Sequence, residues 1–213
     1  MSRPAPERFT IPGGAGSIEV AVDAPAEVKG LTLIAHPHPL FGGTMDNKVA
    51  HTLARTFRDL GYAALRANFR GVGKTSGTHD HGGAETDDML EVLAYGRQRF
   101  GDLPVVLAGF SFGGFVQTRV ARRLAESGRP AQRVVLVGAA TGTVPGLRQY
   151  ATEPVPADSI IIHGELDETV PLANVLDWAR PQELPIVLVP GADHFFHGRL
   201  HLLRDIIQRA WRH

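Results

Sequence analysis

The sequence predicts a doubly wound α/β fold, a mostly parallel sheet with helices on both faces, entered through an antiparallel N-terminal hairpin. Two patterns carry that expectation. Apolar runs at residues 31–35, 105–108 and 134–137 are continuous rather than alternating, as in strands covered on both faces. Between such runs lie segments with helical apolar spacing, and repeated β-α units of this length build a parallel sheet. The 213 residues are enough for one larger domain spanning 1–213, with no second core required.

The elements follow in order. Strands expected at 8–12 and 17–22 flank the turn Gly13-Gly14-Ala15-Gly16 and form the hairpin. After the strand at 31–35 and the loop His36-Pro37-His38-Pro39-Leu40-Phe41-Gly42-Gly43, the residues Val49, Leu53, Phe57 and Leu60 share one helical face. Asp46 is the expected N-cap of that helix, and Gly61 its stop. A strand at 62–65 leads through a Gly-rich loop to a helix over about 84–100. The strand at 105–108 and a helix to about 127 come next. Strands at 134–137, 160–162 and 186–189, with helices at 172–179 and 199–211, complete the alternation. The longest connection is rich in Pro, Gly and Thr. Its stretch 141–156 has three prolines and is too short for a cap domain, so it reads as a rim or short lid over an open pocket.

Composition narrows the function classes. Lys+Arg and Asp+Glu both number 22, so no basic face exists for nucleic acid or an anionic membrane. The absence of Cys excludes disulfides, thiolate metal sites and a cysteine nucleophile, and fits a reducing compartment. The N-terminal stretch MSRPAPERFTIPGG lacks the apolar centre of a signal peptide, and no apolar run approaches the ~18 residues of a membrane span. A cytoplasmic location is the expectation; oligomeric state is left open.

The chemistry begins at Gly109-Phe110-Ser111-Phe112-Gly113, directly after an apolar strand and directly before a helix. A serine on so tight a strand-to-helix turn is strained, and the flanking glycines let neighbouring backbone approach without meeting a Cβ. The turn lifts Oγ above the sheet. The Phe112 amide, opening the helix, then points to where negative charge develops on an attacked carbonyl oxygen. Ser111 is the candidate nucleophile.

In doubly wound sheets reactive groups gather at the carboxyl ends of strands. Two further loops qualify: the strand ending in His163 runs into Gly164-Glu165-Leu166-Asp167, and the last strand runs into Pro190-Gly191-Ala192-Asp193-His194. Asp167 is the expected acid and His194 the expected base. Asp193 is the rival acid, but adjacent loop residues point apart. His197 is the rival base, but its position just before the last helix reads as a cap or pocket-rim residue, and Glu165 and Glu168 read as solvated loop charges. His163 reads as a brace near the site, and Asn68 and Arg70 as braces between loops. Phe195 and Phe196 fit an acyl pocket and helix packing equally well.

GFSFGG, HGELDETVP and PGADHFF resemble the nucleophile, acid and histidine segments of the α/β-hydrolase superfamily, and share its order of Ser, acid and His. The strings HPHPLFGGTMDNK and NFRGVGKTSG are similar to those of small capless bacterial hydrolases related to the dienelactone hydrolases. That resemblance spans about residues 31–211. Dienelactone hydrolases proper use a cysteine where this chain has Ser111, which favours ester-type chemistry over dienelactones. The resemblance implies an α/β-hydrolase fold without a cap domain and a serine hydrolase acting on a small carboxylic ester or thioester; a small-molecule ester is the expected partner, and no cofactor is expected. A non-catalytic scaffold that binds a small ligand, or a peptidase on the same triad, is the alternative. The second oxyanion donor is expected from the loop after the strand at 31–35. Pro37 and Pro39 have no N–H, leaving His38, Leu40 or Phe41, of which Leu40 is preferred. The pairs His36/His38 and His79/His81 have imidazoles at metal-like spacing but no third ligand segment, so no metal is expected. Gly71-Val72-Gly73-Lys74-Thr75 lacks the first glycine of a phosphate loop, because that position is Asn68.

Overall fold

A computed structural model of the chain describes residues 5–211. The first four residues of the N-terminal stretch and the last two of the chain lie outside the described residues. The N-terminal hairpin pairs β1 (Glu7–Gly13) with β2 (Gly16–Asp23) in antiparallel register, Ile11 opposite Ile18. β3 (Gly30–Ala35), β4 (Tyr62–Ala67), β5 (Val105–Phe110) and β6 (Arg133–Val137) form the centre of the sheet. A two-residue ladder, β7 (Gly142–Thr143) and β8 (Gln149–Tyr150), interrupts the long connection. β9 (Ile160–Gly164) and β10 (Ile186–Val189) finish the main sheet. Its order is β1-β2-β4-β3-β5-β6-β9-β10, parallel from β4 onward.

The continuous apolar runs are continuous because both faces are covered. Leu31, Leu33, Val105, Leu107, Val134 and Leu136 enter a core shared with α2 (Gly83–Phe100) and α3 (Phe112–Glu126). The intervening Ile34, Val106, Ala108, Val135 and Val137 enter a second core with α1 (Lys48–Asp59) and α5 (Leu200–Ala210). This two-residue alternation between cores is the pleat. The short α4 (Leu172–Ala179) adds Val175 to the first core. Each buried aliphatic side chain contributes roughly 1.5–3 kcal/mol through removal of apolar surface from water.

Local departures from the sequence expectation have physical reasons. The N-cap of α1 is Asn47 rather than Asp46: Asn47 Oδ1 accepts from the amides of Val49 and Ala50, while Asp46 is held by Arg8 and Arg66. β4 extends to Ala67 although Arg66 is buried, because its two terminal nitrogens are paired, with Asp23 Oδ2 at 3.0 Å and the Met45 carbonyl at 2.8 Å. Its pattern therefore looked polar where the chain is fully buried. β5 likewise runs on to Phe110, immediately before the candidate nucleophile.

Candidate active site

Ser111 sits between β5 and α3 with φ 55° and ψ −121°, a backbone conformation that side-chain-bearing residues rarely adopt. Its surroundings hold it there. The Ser111 amide donates to Val137 O, and its carbonyl accepts from the amides of Gly114, Phe115 and Ala140. A Cβ on Gly109 would lie 2.4 Å from the Gly113 carbonyl oxygen, and one on Gly113 would lie 2.3 Å from that of Ala35. The glycines of Gly-x-Ser-x-Gly are thus contact requirements between backbone segments. Gln117 ties α3 down further, donating to the carbonyls of Leu33 and Ala108.

The loops after β9 and β10 bring the other two expected residues to this serine. His194 Nε2 lies 3.0 Å from Ser111 Oγ, and His194 Nδ1 lies 2.7 Å from Asp167 Oδ2. All three side chains are buried. Asp167 Oδ1 accepts from the amides of Thr169 (3.0 Å) and Val170 (2.8 Å), so both carboxylate oxygens are engaged. An acceptor-only carboxylate assigns the proton of a neutral His194 to Nδ1 and leaves Nε2 as a lone pair facing the hydroxyl. Phe110 packs on the imidazole with ring centroids 4.8 Å apart, fixing its plane from the side.

The rival residues face elsewhere. Asp193 accepts from the His197 amide (3.0 Å) and pairs with its Nδ1 (2.6 Å) at the surface. His163 is fully buried, its imidazole pKa lowered mainly by burial, and its Nε2 lies 3.1 Å from Val170 O. It braces the turn whose amides hold Asp167. Phe195 and Phe196 divide the two roles: Phe195 is 43% exposed on the wall of the cleft, whereas Phe196 is fully buried in the α1/α5 core.

On the opposite side, the loop after β3 differs from expectation. Leu40 is 68% exposed, and its amide donates to His38 Nδ1, because the His38 ring folds back to cap the short 3-10 turn Pro39–Phe41. That interaction engages the Leu40 amide within its own loop. The amides of Phe41 and Gly43 return to His38 O and that of Gly42 to Pro39 O. Among the described residues the His38 amide has no partner, and His38 lines the cleft beside Ser111. The Phe112 amide, first in α3, lies where a helix has no internal acceptor. Flanking prolines were the available sequence signal for His38, since they leave it the one amide between two residues without N–H.

His36 shapes this loop. Burial pushes its imidazole pKa down to about 3, so the ring is neutral; Nδ1 lies 2.7 Å from Pro37 O and Nε2 accepts from the Phe69 amide at 2.8 Å. The proton therefore sits on Nδ1 and is donated to the Pro37 carbonyl. That carbonyl and the His38 N–H belong to one peptide plane and point in opposite directions, so His36 fixes where the His38 amide aims. Burial, then the neighbouring His79, lowers the His38 ring to about 4. Asn68 and Arg70 brace loops as expected: Asn68 bonds the Met45 amide and Glu19, and Arg70 makes a two-pronged bond to Asp88.

A cleft of about 430 Å³ opens over Ser111, walled by His38, Phe41, Asn47, Leu147 and Phe195. Among the described residues no group of three or more His, Asp or Glu is arranged to hold a metal ion, and no helix is long and apolar enough to cross a membrane.

A family model described as alpha/beta hydrolase fold matches residues 40–157. A Xanthomonas campestris structure described as an a/b serine hydrolase without lid superposes with a TM-score of 0.85 at 34% identity, covering 100% of this chain and 96% of that one. An alpha-beta serine hydrolase homologue from Coxiella burnetii gives 0.85 and 34%, covering 99% and 100%. An uncharacterized protein of Rickettsia prowazekii is 29% identical over 174 residues, 78% of this chain and 71% of its own. The chain belongs to the α/β hydrolase fold family.

Proposed function

We propose that the protein is a serine hydrolase that cleaves small carboxylic esters or thioesters through an acyl-enzyme. The observation that carries this reading is the His194 imidazole held between Asp167 at 2.7 Å and Ser111 at 3.0 Å, with the serine on a strained turn. A serine hydroxyl becomes a competent nucleophile when a base removes its proton during attack. His194 Nε2 takes that proton as Oγ bonds the carbonyl carbon, and returns it to the leaving alkoxide or thiolate as the acyl-enzyme forms. Asp167 stabilises the transient imidazolium and holds its tautomer. The amides of Phe112 and His38 receive the oxyanion. Water then enters, loses its proton to His194 and releases the acid.

The open cleft supports a small substrate. Each buried methylene contributes ~0.8 kcal/mol, roughly fourfold in specificity, but a chain left in water gains nothing from added length. A fluorophosphonate should label Ser111 and no other residue. On nitrophenyl and CoA esters of rising length, kcat/KM should level off beyond about four to six carbons. Labelling elsewhere, or full activity in Ser111→Ala, would overturn the mechanism. A steady climb to about twelve carbons would overturn the small-substrate reading.

A further inference from the structure

We propose that Asn47 is a substrate-recognising residue, its Nδ2 amino group donating a hydrogen bond to an uncharged ether, hydroxyl or carbonyl oxygen in the part of the ester remote from the scissile bond. The inference rests on the ester-hydrolase reading of the same cleft.

The N-cap role of Asn47 fixes the orientation of its amide. Oδ1 accepts from the Val49 amide at 2.9 Å and the Ala50 amide at 3.5 Å, so the oxygen faces α1 and the amino group faces away from it. Among the described residues nothing accepts from Nδ2. Asn47 lines the cleft over Ser111 and also a shallower depression of about 270 Å³ beside it, with Gly42 and Phe195 common to both. The combined groove is apolar at Phe41 and Phe195 beside Ser111, and in the adjoining depression adds a fixed neutral donor at Asn47 among the charged or titratable side chains of Asp46, Lys48 and His197.

Two arguments separate recognition from capping. Ser or Asp caps a helix as well as Asn does, and Thr nearly as well, so the cap alone does not call for an amino group. The segment is also unusually well anchored: Met45 N donates to Asn68 Oδ1, buried Arg66 donates to Met45 O, and Asn47 N donates to Thr44 O. A donor on so fixed a base loses little freedom when it binds. An uncharged acceptor fits the electrostatics: Glu168 in the cleft and Asp46 in the depression disfavour an anion, Lys48 beside Asp46 disfavours a cation, and Asn47 is the neutral donor between them.

Asn47→Asp and Asn47→Thr keep an N-cap acceptor while removing the amino group, and an unchanged melting temperature reports that the cap survives. Substrates are ester pairs in which one methylene is replaced by an ether oxygen, at successive positions along the acyl or the alcohol chain. For wild type, kcat/KM should favour the oxygen-bearing member at one position by roughly three- to tenfold, the strength of a neutral hydrogen bond. Both variants should bring that ratio to about one. A wild-type ratio near one at every position, or a preference that both variants retain, overturns the proposal with the hydrolase reading intact. Failure of wild type to turn over any ester overturns both.

Discussion

The two walls of the site are built differently. On the Ser111 side, Ser111, His194 and Asp167 are all buried and hydrogen-bonded in series, and a Cβ on Gly109 or Gly113 would run into neighbouring backbone. The loop after β3 is tight at its base, where a Cβ on Gly43 would lie 2.2 Å from the Pro37 carbonyl oxygen, but open at its tip: Leu40 and Phe41 are 68% and 67% exposed, and a Cβ on Gly42 would meet nothing within 4 Å. The contrast separates two tasks. Proton transfer needs groups held to a few tenths of an ångström, and packing supplies that; substrate admission needs room.

The largest effect should come from disturbing the packed side. Asp167→Asn leaves the shape but reverses the hydrogen bond that orients His194, and kcat should fall about 10³–10⁴-fold. Asp193→Asn touches only a surface pair and should stay within about threefold. The opposite ranking in steady-state kinetics would reassign the acid.

Stability sharpens the contrast next. Gly113→Ala forces a methyl group against the Ala35 carbonyl and should cost roughly 3 kcal/mol or more, or abolish folding. Gly42→Ala meets no neighbour and pays only for its φ of 76°, about 1–2 kcal/mol. Equal costs by chemical denaturation would show that the two walls are equally tight.

A pH series probes the join between the walls. His36 remains unprotonated in the folded protein down to about pH 3, whereas an unfolded imidazole titrates near 6.5. The unfolded chain therefore binds more protons in that window, so stability rises with pH and is lost as pH falls from about 6.5 towards 3. His36 alone accounts for a loss of roughly 3 kcal/mol between pH 7 and pH 4. His36→Gln should flatten the dependence; an unchanged pH slope would remove His36 from the account. The smallest effect is expected on the open side, where Phe41→Ser should raise KM a fewfold, by roughly 1 kcal/mol or less of lost apolar contact, with kcat nearly unchanged.

The same division decided what the sequence could disclose. Ser111, Asp167 and His194 were legible because each follows an apolar strand that fixes where its loop emerges, and because Gly-x-Ser-x-Gly records backbone contacts directly. Strands β3, β5 and β6 were legible from their unbroken apolar runs. The end of β4 was obscured by Arg66, a charge that becomes acceptable only when Asp23 and Met45, distant in sequence, satisfy it. The engagement of the Leu40 amide was not legible, because no local pattern reveals that the His38 ring turns back onto it. Asn47 went unread for a similar reason, since its neighbour Asp46 is an equally good cap until Arg8 and Arg66 claim it.

The Ser111 backbone bonds to Val137 and Ala140, and Gly113 rests on Ala35, so the elbow is a junction of three chain segments far apart in sequence. A nascent chain emerging from the ribosome carries the whole Gly-x-Ser-x-Gly string well before β6 exists. Until β6 docks against β5, nothing compels Ser111 into its unfavourable conformation, and the serine relaxes to an ordinary turn. Reactivity towards fluorophosphonates, which also needs the proposed base His194, should accordingly appear only once β6 has docked and the loop after β10 has joined the site, and would report, during synthesis, the completion of the sheet.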